Sequence, residues 1–119
     1  MSNSFKDSYS FEERLKESSK ILTKYPDKIP IIVTKYKRCK NLEDIEKNKF
    51  LVPADLTIAQ FTYIIKKRLN ISSEMSIYVF VNGETLPTSS ATVGLTYEKN
   101  KDDDKFLYFE YAGENTFGN

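Results

Sequence analysis

The sequence predicts an α+β domain: a four-stranded mixed sheet with a helix packed across it and two additional helices on the amino-terminal side. Three observations predict it. The apolar residues switch between helical spacing and short β-branched runs, in the order helix, strand, strand, helix, strand, short helix, strand. Two capping boxes, Ser10-Phe11-Glu12-Glu13 and Thr57-Ile58-Ala59-Gln60, mark helix starts. Asn82-Gly83, directly after an apolar run, marks a tight turn. At 119 residues the chain has the length of one domain, which takes roughly 100–200 residues.

Taken in order, residues 5–9 allow a short turn of helix. The Ser10 capping box then starts a helix that places Phe11, Leu15, Leu22 and Tyr25 near one face, with Ile21 beside them. Pro26 ends it, because the residue before a proline avoids the α region. Residues 29–35 are β-branched and too short for a buried helix, so they read as a strand, with Pro30 near its start, where a strand tolerates proline. Residues 36–48 are polar and read as a loop, and Lys49 to Pro53 as a second strand paired with the first. After Thr57, Phe61, Ile64, Ile65 and Leu69 recur at amphipathic spacing, and Lys66, Lys67 and Arg68 complement the dipole at the helix end. Ile77 to Val81 is a third strand, Thr92 to Lys99 a short helix, and Phe106 to Tyr111 the last strand. Two antiparallel strands, a crossover helix and two further strands are the order of a β-grasp, or ubiquitin-like, sheet. The expected organisation is a helical extension at 1–26 packed on the domain, a β-grasp domain at 27–112, and a flexible tail at 113–119.

Composition narrows the chemistry. The chain has no histidine and one cysteine, which removes Ser-His and Cys-His nucleophile pairs, His-based or paired-Cys metal sites, and internal disulfides. It contains no apolar stretch near the about 20 residues of a membrane helix and no apolar run at its start, so neither a span nor a secretory signal is expected. Net charge is +1 but unevenly spread. Residues 1–40 hold ten Lys/Arg against five Asp/Glu, and residues 41–119 eight against twelve. The basic front half suits acidic partners, although a solvated helix face explains the charge as well.

Two features carry candidate function. Gly118 stands one residue from the end, and a residue without Cβ can enter a narrow catalytic channel and present its carbonyl for acyl transfer. The strand Lys49 to Pro53, if it lies at a sheet edge, offers N–H and C=O groups to an incoming extended peptide. Phe50, Val52, Leu56, Phe61, Ile64 and Ile65 would line a pocket beside it, with a core role preferred for Phe61 and Ile65. Glu43, Asp44 and Glu46 and the run Asp102 to Asp104 lack the calcium-loop pattern and read as solvated loops. Cys39, between Arg38 and Lys40, reads as an ordinary surface cysteine. No phosphate-binding loop and no nucleic-acid footprint are present.

Several segments resemble one known family in register along nearly the whole chain. They are Phe11-Glu12-x-Arg14, Lys24-Tyr25-Pro26-Asp27-Lys28-Ile29-Pro30, Lys49 to Thr57, Phe80-Val81-Asn82, Leu86-Pro87-Thr88 and Gly113 to Gly118. Together they look like the autophagy ubiquitin-like modifiers, the group of the microtubule-associated-protein light chain and the GABA-receptor-associated proteins. Lys28 where arginine is usual, Ser10 where proline is usual, and the 36–42 loop with Cys39 depart from the pattern.

The resemblance implies a non-enzymatic tag with no cofactor other than covalently attached phosphatidylethanolamine. A processing cysteine protease would remove Asn119, and ubiquitin-like activating and conjugating enzymes would carry Gly118 to the lipid. The chain would be cytoplasmic, and on autophagosomal or related vesicle membranes through its lipid. It would recruit cargo receptors bearing aromatic-x-x-aliphatic motifs. By position, the aromatic pocket would use Glu17, Ile21, Pro30, Ile32, Lys49 and Phe106. The aliphatic pocket would use Phe50, Val52, Pro53, Leu56, Phe61, Ile64 and Ile65, with Lys28, Lys47 and Arg68 as charge contacts. The alternative is a non-lipidated interaction module, an adaptor for tubulin or vesicle trafficking; a modifier of protein lysines is a third reading.

Overall fold

Eight elements follow one another in the computed structural model, which describes residues 4–114. The strands are β1 (Lys28–Lys35), β2 (Lys49–Pro53), β3 (Ile77–Val81) and β4 (Leu107–Gly113), and the helices α1 (Phe5–Ser8), α2 (Phe11–Lys24), α3 (Ile58–Leu69) and α4 (Val93–Asn100). The sheet order is β2-β1-β4-β3. β1 pairs antiparallel with β2 and parallel with β4, and β3 pairs antiparallel with β4. This is the predicted four-stranded mixed sheet.

Central and edge strands differ as their sequences require. Ile29 to Val33 are all buried, the continuous apolar run expected of a strand covered on both faces. β2 alternates exposed and buried residues, with Phe50 and Val52 inward, as an edge strand with one packed face should. One face of the sheet carries the main core of Ile31, Val33, Phe50, Phe61, Ile65, Leu107, Phe109 and Tyr111. A second, smaller cluster joins Phe5, Ile32 and Phe106.

Both capping boxes form. Ser10 Oγ accepts from the Glu13 N–H at 3.1 Å while Glu13 accepts from the Ser10 N–H at 2.8 Å. Thr57 and Gln60 exchange the same pair at 3.1 and 2.9 Å. The turn after β3 has φ 55° at Asn82 and 78° at Gly83, the paired left-handed conformations that select Asn-Gly.

Four expectations change. α2 buries Ser18 rather than the Phe11–Tyr25 side, and Phe11 and Tyr25 remain 44% and 39% exposed. β4 runs two residues further than predicted, to Gly113; the Glu114 N–H then reaches the Ser76 carbonyl at 3.3 Å. Cys39 is buried, its thiol 3.3 Å from Asn41 Oδ1, so it is part of the packed loop and not a surface group. Asp104, read as solvated, is 0% exposed.

Candidate functional site

The edge geometry of β2 follows from hydrogen bonds at its two ends. The Val33 N–H donates to the Asn48 carbonyl at 2.8 Å and the Ala54 N–H to the Asp27 carbonyl at 3.1 Å. Antiparallel pairs alternate, so this register turns the backbone groups of Phe50 and Val52 toward β1. The N–H and C=O groups of Lys49 and Leu51 therefore face away from the sheet. Leu51 is 40% exposed. This edge can take an added strand.

On the α2 side of the edge, Glu17 and Ile21 come from α2, Pro30 and Ile32 from β1, Lys49 from β2, and Phe106 from the residue before β4. The Lys49 ammonium is ion-paired with Glu17, and Ile21 packs against the Ile32–Phe106 cluster. Pro30 is buried beside them in the strand. The fold thus brings the predicted aromatic-pocket residues to the α2 face of the sheet. It also places there a residue that the sequence reading missed. Phe5 of α1 is buried, 5.1 Å from the Phe106 ring edge-on, with the Lys49 ammonium 5.9 Å from its centroid. Its signal was a single phenylalanine in a polar tetrapeptide, too short for periodicity to register.

On the α3 side, Phe61 and Ile65 are fully buried, and Phe50 and Val52 nearly so. Leu56 and Ile64 are half-buried against the core, and Pro53 is exposed. The Arg68 guanidinium lies over the Phe50 ring, 3.9 Å from its centroid, and donates to the Lys47 carbonyl at 2.8 Å. Arg68 thereby fixes the end of α3 to the start of β2 and sets a cation beside the open edge. Lys47 is exposed and Lys28 half-buried. Gly118 and Asn119 lie outside the described residues.

Asp104 organises the joint between the amino-terminal helices and the sheet. Its carboxylate accepts from Arg14 at 2.6 Å, from the Phe106 N–H at 2.9 Å, and from the Tyr108 hydroxyl. Ser18 donates to its carbonyl at 2.6 Å. Burial, then the bond to Asp104, pushes the Tyr108 phenol well above its usual range. Next to it Asp102 holds α1 through Lys6 at 2.8 Å. Burial would raise the Asp102 carboxyl, but the Lys6 and Asp104 hydrogen bonds outweigh it and the net shift is down.

A carboxyl lowered on folding adds stability above its unfolded pKa and loses it as pH falls through the folded value. The Lys6–Asp102 tether is accordingly expected to weaken below about pH 4. The Phe5 amide signal followed by NMR against pH should move there in the native chain and not in an Asp102→Asn variant. Equal titration in both would discard this assignment.

Among the described residues no group of three or more His, Cys, Asp or Glu side chains is placed to hold a metal, and no helix is long and apolar enough to cross a membrane.

Sheet order, crossover helix and the two added helices define a protein of the ubiquitin-like class. Residues 13–118 match the family described as autophagy protein Atg8, ubiquitin like. The chain is 49% identical to autophagy-related protein 8 of Coccidioides immitis over 119 residues, all of both chains. It is 51% identical to autophagy-related protein 8a of Arabidopsis thaliana over 116 residues, 98% of this chain and 93% of that one. The crystal structure of Trypanosoma brucei ATG8 superposes with a TM-score of 0.89 at 39% identity, covering 99% of this chain and 100% of that one. The chain belongs to the Atg8 family of ubiquitin-like autophagy proteins.

Proposed function

We propose that the chain acts as a conjugated autophagy tag. Its Gly118 carboxyl is joined to the amine of phosphatidylethanolamine after removal of Asn119, and its β2 edge docks aromatic-x-x-aliphatic peptides of cargo receptors. The observation that carries the docking half is the outward backbone of Lys49 and Leu51. It lies between the Glu17–Lys49 pair over the Ile32–Phe106 cluster and the Arg68-capped Phe50. An extended ligand pairing with that edge would send alternate side chains to the two faces of the sheet, one on the α2 side and one on the α3 side.

The conjugation half is supported by membership of the family, whose match extends over residues 13–118 and so includes Gly118. In this reading the bond-making is done by a processing protease and by activating and conjugating enzymes, and the chain is their substrate. A diacyl lipid would supply the two-chain anchor that stable attachment needs, placing the chain on autophagosomal membranes when conjugated and in the cytoplasm when not.

A Gly118→Ala variant is expected to stay folded and to form no lipid adduct. Intact-mass analysis of membrane fractions reads this directly, and an undiminished adduct would reject conjugation at this position. Arg68→Ala is expected to weaken an aromatic-x-x-aliphatic peptide by about 1–3 kcal/mol, since it uncovers Phe50 and frees the Lys47 carbonyl. Identical calorimetric titrations of variant and native chain would remove Arg68 from the site.

A further inference from the structure

A second recess lies on the α1 side of the sheet, away from the β2 edge. It has a volume of about 360 Å³ and is bounded by α1, by β1 and β4, and by the Asn82-Gly83 turn. That is within the roughly 300–1,000 Å³ range of small-ligand sites. Glu110 of β4 lines it beside its register neighbour Thr34 of β1. A Cβ built on Gly83 would stand 3.3 Å from Glu110 Oε1, so the carboxylate sits directly under the turn.

The polar groups of this recess are unevenly used. Lys6 is already committed, ion-paired to Asp102 at 2.8 Å and 4.6 Å over the Tyr108 ring. Asn82 donates its Nδ2 to the Asn100 carbonyl at 3.2 Å, which leaves its side-chain oxygen as an acceptor. Among the described residues neither Glu110 nor Thr34 has a side-chain hydrogen bond or an ion pair. An unpaired carboxylate, an unpaired hydroxyl and an amide oxygen therefore border the space.

We infer that this recess is a binding site for a guanidinium group, the arginine side chain of a partner polypeptide, with Glu110 as its counter-charge and Thr34 and Asn82 as further acceptors. A guanidinium carries five N–H donors in a planar fork and reaches several separated oxygens at once. Among the described residues that line the recess, the cation Lys6 is already ion-paired with Asp102. Burial holds the Glu110 carboxyl above its ordinary range, with Lys37 acting the other way. A half-buried carboxylate that makes no hydrogen bond or ion-pair contact is costly, and an arriving cation in contact with it offsets that cost. The recess shares Phe5 and Ile32 with the aromatic side of the β2-edge site, but Glu110, Thr34 and Asn82 lie outside that site, so failure of the recess would leave the docking proposal standing.

The test is a titration of the ¹⁵N-labelled full chain with N-acetyl-arginine amide, against N-acetyl-citrulline amide of matching shape and no charge. Saturable shifts are expected at the Thr34, Asn82, Gly83 and Glu110 amides with the arginine compound, at least about tenfold weaker with the citrulline compound. Glu110→Gln should cost the arginine compound a similar factor at pH 7 while leaving the remaining amide spectrum in place. A carboxyl raised on folding opposes folding at neutral pH, so this variant should fold at least as well as the native chain. Thr34→Val, which keeps the shape, should weaken binding by a few-fold. Equal binding of the two compounds, unchanged affinity in Glu110→Gln, or shifts that map elsewhere or do not saturate would each overturn the site.

Discussion

Replacing Asp104 with alanine is expected to cost about 3–5 kcal/mol of folding stability. The carboxylate is fully buried and holds three donors from different parts of the chain, namely Arg14 from α2, the Phe106 N–H ahead of β4, and the Tyr108 hydroxyl. Removing it strands an arginine whose side chain is only 11% exposed, and a buried charge without its partner is the costly outcome. Asp104→Asn should fall between the two, since it keeps the shape and one acceptor but loses the charge. Urea unfolding measures this as a lower midpoint at similar slope. A loss under about 1 kcal/mol, the size of an exposed pair, would mean that the joint contributes little.

Phe61→Ala is expected to cost about 3–5 kcal/mol as well, by a different route. The ring is 0% exposed, 5.4 Å from Phe50 edge-on and 5.3 Å from Phe109, so truncation opens a cavity beneath β2. The half-buried Ile64, one turn along α3, provides the comparison. Ile64→Ala should cost less in stability yet still weaken an aromatic-x-x-aliphatic peptide. Urea unfolding and peptide titration run on both variants separate support from contact. If Ile64→Ala lost as much stability as Phe61→Ala while binding peptide normally, Ile64 would be core and not pocket.

The regular elements were legible because their signals are local. Ser10 and Thr57 started their helices by capping chemistry, β2 kept its predicted limits of Lys49–Pro53, and Asn82-Gly83 turned as its dipeptide requires. The docking reading is conditional on β2 lying at a sheet edge, and the sheet order puts it there. What escaped were contacts between residues far apart in sequence. Asp104 looked like one of three loop acids, and only the approach of α2, some 90 residues earlier, makes it the buried member. Ser18 and Arg14, polar by composition, became the packed side of α2 because Asp104 supplies their partners, whereas Phe11 was left outward. Phe5 entered the aromatic end of the site in the same non-local way. Cys39 between two basic residues gave no sign of burial, because its loop folds inward beside Asn41.

The extension of β4 to Gly113 sets the length of any leash. Four residue-to-residue steps lead from Glu114, bonded to Ser76 at the margin of the sheet, to Gly118. Fully extended chain covers at most about 3.3–3.6 Å per residue, so a lipid at Gly118 would keep that corner within about 14 Å of its attachment point. The body measures 42 × 32 × 23 Å, longer in every direction than its tether. Once anchored, the domain would ride against the headgroups with the Gly113–Ser76 corner downward. A receptor would then have to approach from the flank or from above.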